Sequence, residues 1–131
     1  MIVAIGVDVA PVARFVRLLA RAPDRTYARL CTRPEADHCR SRAHPAESLA
    51  ARFAAKEAVL KCLGTGWADG VGFAQIEVVR AASGAVSLQL RGVAAELARQ
   101  LGIDRWHLSL SHTEELATAF VVAERTVPTR A

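Results

Sequence analysis

The sequence predicts an α+β fold in which a small antiparallel sheet packs with one long buried helix. Three observations predict it. The stretch Leu49 to Gly66 is apolar on both helical faces. The runs Ile2 to Val7 and Leu116 to Ala123 have the length and composition of strands. Ser83-Gly84 divides two β-rich segments, as a hairpin turn does. With 131 residues, 52% of them hydrophobic, the chain suffices for one domain over residues 1–131, with a polar tail from about 125.

Taken in order, Ile2 to Val7 reads as a buried strand. Gly6 within it points to a close backbone approach, and Asp8 stands at its end. Asp8 there is either an Asx turn or cap, or a ligand-binding carboxylate. Pro11 opens a helix that runs to about Ala22, where Pro23 stops it. Its Val12, Phe15, Val16 and Leu19 share one face, and Arg14, Arg17 and Arg21 line the other with no acid to balance them. Arginine suits carboxylate and phosphate partners through its bidentate geometry. Asp24 to His44 reads as a polar, Arg-rich surface segment, with Thr32 and Glu35 capping a short helix to about Cys39.

Pro45 suits the first turn of the central helix and Gly64 its left-handed C′ position. Lys56 falls inside the Leu49, Phe53, Leu60, Leu63 stripe, with Glu57 and Lys61 beside it on one row. Charges in a buried helix are paired or bind something. Either Glu57 and Lys61 form an internal ion pair, or Glu57 holds a cation and the lysines hold phosphate. Beyond Gly66, Trp67 to Gly72 is turn-like, and Phe73 to Arg80 and Ala85 to Arg91 are hairpin strands. Val93 to Leu101 is a helix stopped by Gly102. Trp106 to Ser111 and Leu116 to Ala123 are the last strands, joined through His112 to Glu115.

A net charge of +4 favours an anionic partner. No run is long enough to span a membrane and the start lacks the basic region of a signal peptide, so a cytoplasmic location is expected. Cys31, Cys39 and Cys62 form no CxxC pair and read as reduced thiols, while His38, Cys39 and His44 fit no zinc spacing. His107, Ser109 and Ser111 share a strand face, but no GxSxG elbow or orienting Asp makes a hydrolase triad. A basic RNA-binding module is the competing class, and an aromatic content of 5% without an RNP-like stacking pair argues against it.

Three segments carry a resemblance. Gly6-Val7-Asp8-Val9 followed by Arg14, Arg52 to Ala58 (RFAAKEA) followed by Lys61, Gly64, Thr65 and Gly66, and Ser109-Leu110-Ser111-His112-Thr113 occur in this order along nearly the whole chain. Together they resemble the holo-acyl-carrier-protein synthases, the small 4′-phosphopantetheinyl transferases. Arg33 to Ser48 matches no fixed pattern of that family.

The resemblance implies the 4′-phosphopantetheinyl transferase-like fold and a homotrimer with sites at subunit interfaces. It implies transfer of 4′-phosphopantetheine from coenzyme A to a serine of apo-acyl carrier protein, with release of adenosine 3′,5′-bisphosphate, in fatty acid or polyketide biosynthesis. Asp8 and Glu57 would hold Mg²⁺ and, with Lys61, form the catalytic set, with Glu57 taking the serine proton through a metal-held water. Coenzyme A would meet Arg52, Phe53, Lys56, Lys61, Gly64, Thr65, Gly66, Ser111, His112 and Thr113. Within that set, Arg52 and His112 would take the 3′-phosphate, and Gly64 to Gly66 would offer backbone N–H groups to a phosphate or the adenosine end. Arg14, Arg17 and Arg21 would receive the acidic carrier protein. Neither nucleic acid nor membrane is expected as a partner.

Overall fold

A computed structural model describes residues 1–66 and 70–126. Ten elements and a 3₁₀ turn follow one another: β1 (Ile2–Pro11), α1 (Val12–Arg21), α2 (Pro23–Leu30), α3 (Arg33–Ser41), α4 (Pro45–Leu63), the 3₁₀ turn Phe73–Gln75, β2 (Ile76–Arg80), β3 (Val86–Leu90), α5 (Gly92–Gln100), β4 (Arg105–His112) and β5 (Leu116–Glu124). The fold is α+β with two small antiparallel sheets, β1-β5-β4 and the β2-β3 hairpin.

The inner face of the larger sheet is built from small residues, Gly6, Ala10, Ala117, Ala119, Val121 and Ala123, and α4 lies across it. Small side chains let the helix come close. A Cβ on Gly6 would stand 2.0 Å from the Ala58 carbonyl oxygen and 3.1 Å from Cys62 Sγ, so the close approach expected at Gly6 is the α4 backbone itself. Pro45 occupies the first turn of α4, and Gly64 ends it at φ 69°. The expected cap of α3 is present as a reciprocal Thr32–Glu35 box.

The crossing fixes one prediction. Gly6→Ala forces α4 off the sheet and should cost stability beyond the usual overpacking range of about 1–3 kcal/mol. A thermal melt equal to wild type would contradict the contact.

Several expectations need correcting. β1 does not end before Asp8 but continues to Pro11, with Asp8 paired to Ala119. Nor is β1 buried on both sides. Ile5, Val7 and Val9 lie exposed with Phe120 of β5 on the outer face of the sheet. Val16 of α1 is likewise exposed, while Val12 and Phe15 are buried. Pro23 does not merely stop a helix. It starts α2, which buries Thr26, Tyr27 and Leu30 one turn apart. The first residues of the polar tail are anchored, since the Arg125 and Met1 backbones bond to each other and Thr126 bonds to Asp104. Half of the Trp67 to Gly72 turn, residues 67–69, lies outside the described residues.

Candidate active site

The β1–α4 crossing brings two of the three expected catalytic groups into contact. Asp8 sits on the inner side of β1, half-buried, while Val7 and Val9 point outward. Lys61 Nζ reaches across from α4, donating to the Val7 carbonyl at 2.8 Å and to Asp8 Oδ1 at 3.2 Å. Glu57, half-buried, lies one turn earlier on the same row as Lys61. Lys61 therefore takes Asp8 as its ion-pair partner, where an internal pair with Glu57 was one expectation.

The donor set fits a hard divalent cation. The Asp8 carboxylate borders the seam with the Lys61 ammonium against it, and Glu57 lies one turn from Lys61 on the same row of α4. Among the described residues no three His, Cys, Asp or Glu side chains converge. Two protein carboxylates completed by water and phosphate oxygens is the arrangement Mg²⁺ takes in phosphoryl-transfer sites.

Above this seam, Arg14 lies over the Phe53 ring at 5.0 Å, and Phe53 stacks on Phe73 at 5.7 Å between centroids. A cavity of about 350 Å³ opens there between α1 and α2. Leu18, Leu30, Phe53 and Phe73 give it apolar walls, and Arg14, Arg21, Arg25 and Arg29 line it with positive charge. Arg17 joins Arg14 and Arg21 on the adjoining face of α1. Arg25 and Arg29 were not singled out in the sequence, because α2 was read as loop. Pro23 at N1 followed by Thr26, Tyr27 and Leu30 was the available signal.

The second group of expected residues lies elsewhere. Arg52 is buried, one of its terminal nitrogens meets the Ser48 carbonyl at 3.4 Å, and its Nε has no hydrogen-bond partner among the described residues. It lines a cavity of about 240 Å³ with His112, His38, Arg42 and Arg80. Burial, with the guanidiniums of Arg52, Arg80 and Arg42, holds His38 below the ordinary histidine range. An unsatisfied buried guanidinium nitrogen beside two arginines and two histidines can accept an anion. His38, Arg42 and Arg80 belong to no motif and were not identified from sequence. At about 100° per residue, Arg52 and Lys61 lie on opposite sides of α4, so one chain carries the two groups on separate flanks.

Other expected contacts are occupied by structural work. Lys56 is fully buried, and its Nζ donates to Glu35 Oε1 at 2.7 Å, to Leu30 O at 2.8 Å and to Phe73 O at 3.0 Å. Its three donors are spent inside the protein, where the sequence had suggested a phosphate contact. The amides of Gly64 and Thr65 close the C-terminus of α4 on Leu60 and Lys61 carbonyls, which leaves them unfit to cradle a phosphate. Gly66 is exposed just beyond. Thr113 Oγ1 accepts from the Glu115 and Leu116 amides in the β4–β5 turn, and Ser111 faces the exposed side of β4.

Comparison with known proteins adds to this geometry. A family profile described as "4'-phosphopantetheinyl transferase superfamily" matches residues 4–121. The chain is similar to the holo-[acyl-carrier-protein] synthase of Geobacter sp. (strain M21), at 44% identity over 95% of this chain and 100% of that protein. Its fold is similar to the crystal structure of the synthase from Neisseria meningitidis, at a TM-score of 0.84 and 36% identity over 95% of this chain and all of that one. A synthase from Bacillus anthracis, described as in complex with CoA (3',5'-ADP), aligns at a TM-score of 0.78 and 34% identity, covering 96% and 99% of the two chains.

Proposed function

The chain belongs to the 4′-phosphopantetheinyl transferase superfamily, among its holo-acyl-carrier-protein synthases, and from that premise we propose how its residues divide the reaction. The substrate is coenzyme A. Its 4′-phosphopantetheine passes to a serine hydroxyl of an acidic apo-acyl carrier protein, and adenosine 3′,5′-bisphosphate leaves. The product carrier serves fatty acid or polyketide synthesis. The observation that carries this reading is the Asp8–Lys61 contact at the seam where Glu57 also lies.

Phosphoryl transfer asks for positioning and charge neutralisation more than for covalent chemistry. Asp8 and Glu57 would hold Mg²⁺, which when bound offsets charge on the pyrophosphate. Lys61 is exposed enough to swing from Asp8 to a phosphate oxygen. Glu57 accepts the proton of the attacking serine. The Arg52 cavity takes the 3′-phosphate end of coenzyme A through Arg52, His38, Arg42, Arg80 and His112, all within the same lining. These two groups sit on opposite flanks of α4, so a complete site needs a second copy of the chain. The exposed Ile5, Val7, Val9 and Phe120 face supplies an apolar surface for a homotrimer. Light scattering at micromolar concentration should give three copies, and a fully active monomer would refute the shared site.

The α1–α2 cavity receives the carrier protein. Its arginines would pair with acidic side chains, while Phe53 and Phe73 would meet apolar ones. Arg14→Glu with Arg21→Glu should raise KM for carrier protein and flatten its salt dependence, leaving coenzyme A binding near wild type. Wild-type carrier kinetics in that variant would place docking elsewhere. The reaction itself is tested by incubating the protein with coenzyme A, Mg²⁺ and apo-carrier protein. One phosphopantetheine added to the carrier by mass spectrometry is the expected result, and an unchanged carrier would overturn the proposal.

A further inference from the structure

We propose that Glu47 is a positioning residue for the 3′-phosphate, holding the His112 ring from behind so that it donates into the Arg52 cavity. The inference rests on the reading of that cavity given above and adds a residue to it. Glu47 lies in the stretch Arg33 to Ser48 that matches no family pattern. It belongs to the first turn of α4, and His112 is the last residue of β4. Glu47 Oε1 stands 4.0 Å from His112 Nδ1, and among the described residues His112 is the only ion-pair partner of Glu47. The Glu47 side chain is 17% exposed and the ring 47%, so the anchor is the better buried of the two.

The two side chains border different spaces. His112 lines the Arg52 cavity with Arg42, Arg80 and His38. Glu47 borders a separate, largely apolar cavity of about 600 Å³ between α1 and the start of α4. The carboxylate therefore approaches the ring from outside the anion cavity. Inside that cavity a carboxylate would repel phosphate. Behind the ring it does the reverse.

A protonated imidazole donates from both nitrogens. With Nδ1 turned to Glu47, Nε2 is left to donate to a phosphate oxygen. The 4.0 Å separation is ion-pair rather than hydrogen-bond range, and such contacts tighten in a ligand complex. A half-exposed ring at a strand end must also be ordered when it binds, and ordering a side chain costs affinity. Glu47 lowers that cost by holding the ring beforehand. An acid in the first turn also suits the helix dipole. That role alone predicts a change in stability with no change in ligand binding.

The test compares two ligands on the folded chain. Adenosine 3′,5′-bisphosphate carries the phosphate in question, and adenosine 5′-phosphate lacks it. By calorimetry, wild type should bind the bisphosphate more tightly. Glu47→Gln should weaken the bisphosphate several-fold and leave adenosine 5′-phosphate as in wild type. In turnover it should raise KM for coenzyme A by a similar factor at nearly unchanged kcat. On a His112→Ala background, Glu47→Gln should change bisphosphate affinity no further, since the carboxylate acts only through the ring. Glu114→Gln removes an acid that borders the same apolar cavity, and it should bind both ligands like wild type. Bisphosphate affinity that is unchanged or tighter in Glu47→Gln, whatever its melting temperature, or a loss that persists without His112, would overturn the proposal and leave the cavity its phosphate. Wild type that binds both ligands equally would remove the 3′-phosphate from the Arg52 cavity, and the role of Glu47 with it.

Discussion

Lys56→Ala should cost about 3–5 kcal/mol, the range for breaking a buried ion pair from one side. The Lys56 ammonium has no exposure and joins four parts of the chain through Glu35, Leu30 and Phe73. Glu35 in turn accepts the Thr32 amide at 2.9 Å and the Val78 amide at 3.0 Å, so its carboxylate would stay buried with its positive partner gone. α2, α3, α4 and β2 meet at this point. Lys56→Met with Glu35→Gln should recover much of the loss, because removing both charges avoids leaving one alone. Urea titration gives the answer through a lower midpoint at similar slope for the single variant. If Lys56 instead held phosphate, Lys56→Ala would melt like wild type and lose only coenzyme A affinity.

Asp8→Asn and Glu57→Gln should each keep the fold and lose roughly 10²–10⁴ in turnover, the range for a displaced acid–base group. Asp8 is half-buried and borders an exposed lysine, so an amide there can be solvated without strain. Mg²⁺ with coenzyme A should raise the melting temperature of wild type by mass action, and either variant should lose most of that shift. The two losses should not add, since either change alone empties the same site. A chelator should abolish turnover in wild type and leave its ligand-free melting temperature in place. Full Mg²⁺-dependent activity in either variant would remove Asp8 and Glu57 from the reaction.

Much of this architecture was legible in single residues. Pro45 and Gly64 bounded α4, Thr32 and Glu35 capped α3, and Gly6 announced a close backbone. Each of these acts through local backbone chemistry, which sequence records directly. The partner of Lys56 was hidden for the opposite reason. Glu35 already had a capping role, and nothing in the spacing says that one carboxylate serves both a cap and a distant ammonium. Ile5 and Val7 read as buried because an apolar strand looks the same whatever covers it. α2 was obscured by its four polar residues among eight, so Arg25 and Arg29 went unassigned. The family-like motifs placed Asp8, Glu57 and Arg52 in one list, but could not say that α4 turns Arg52 away from Lys61.

That separation makes one measurement decisive for a site built from two copies of the chain. Asp8→Asn damages the seam flank, and His112→Ala with Arg42→Ala damages the anion flank. Each variant alone should show little phosphopantetheine transfer at low coenzyme A. Unfolded together in equal amounts and refolded, they should recover about a quarter of wild-type turnover, because random assortment joins an intact seam to an intact anion flank at that frequency. If the co-refolded mixture stays as inactive as the separate variants, each chain carries its own complete site and the division across α4 is wrong.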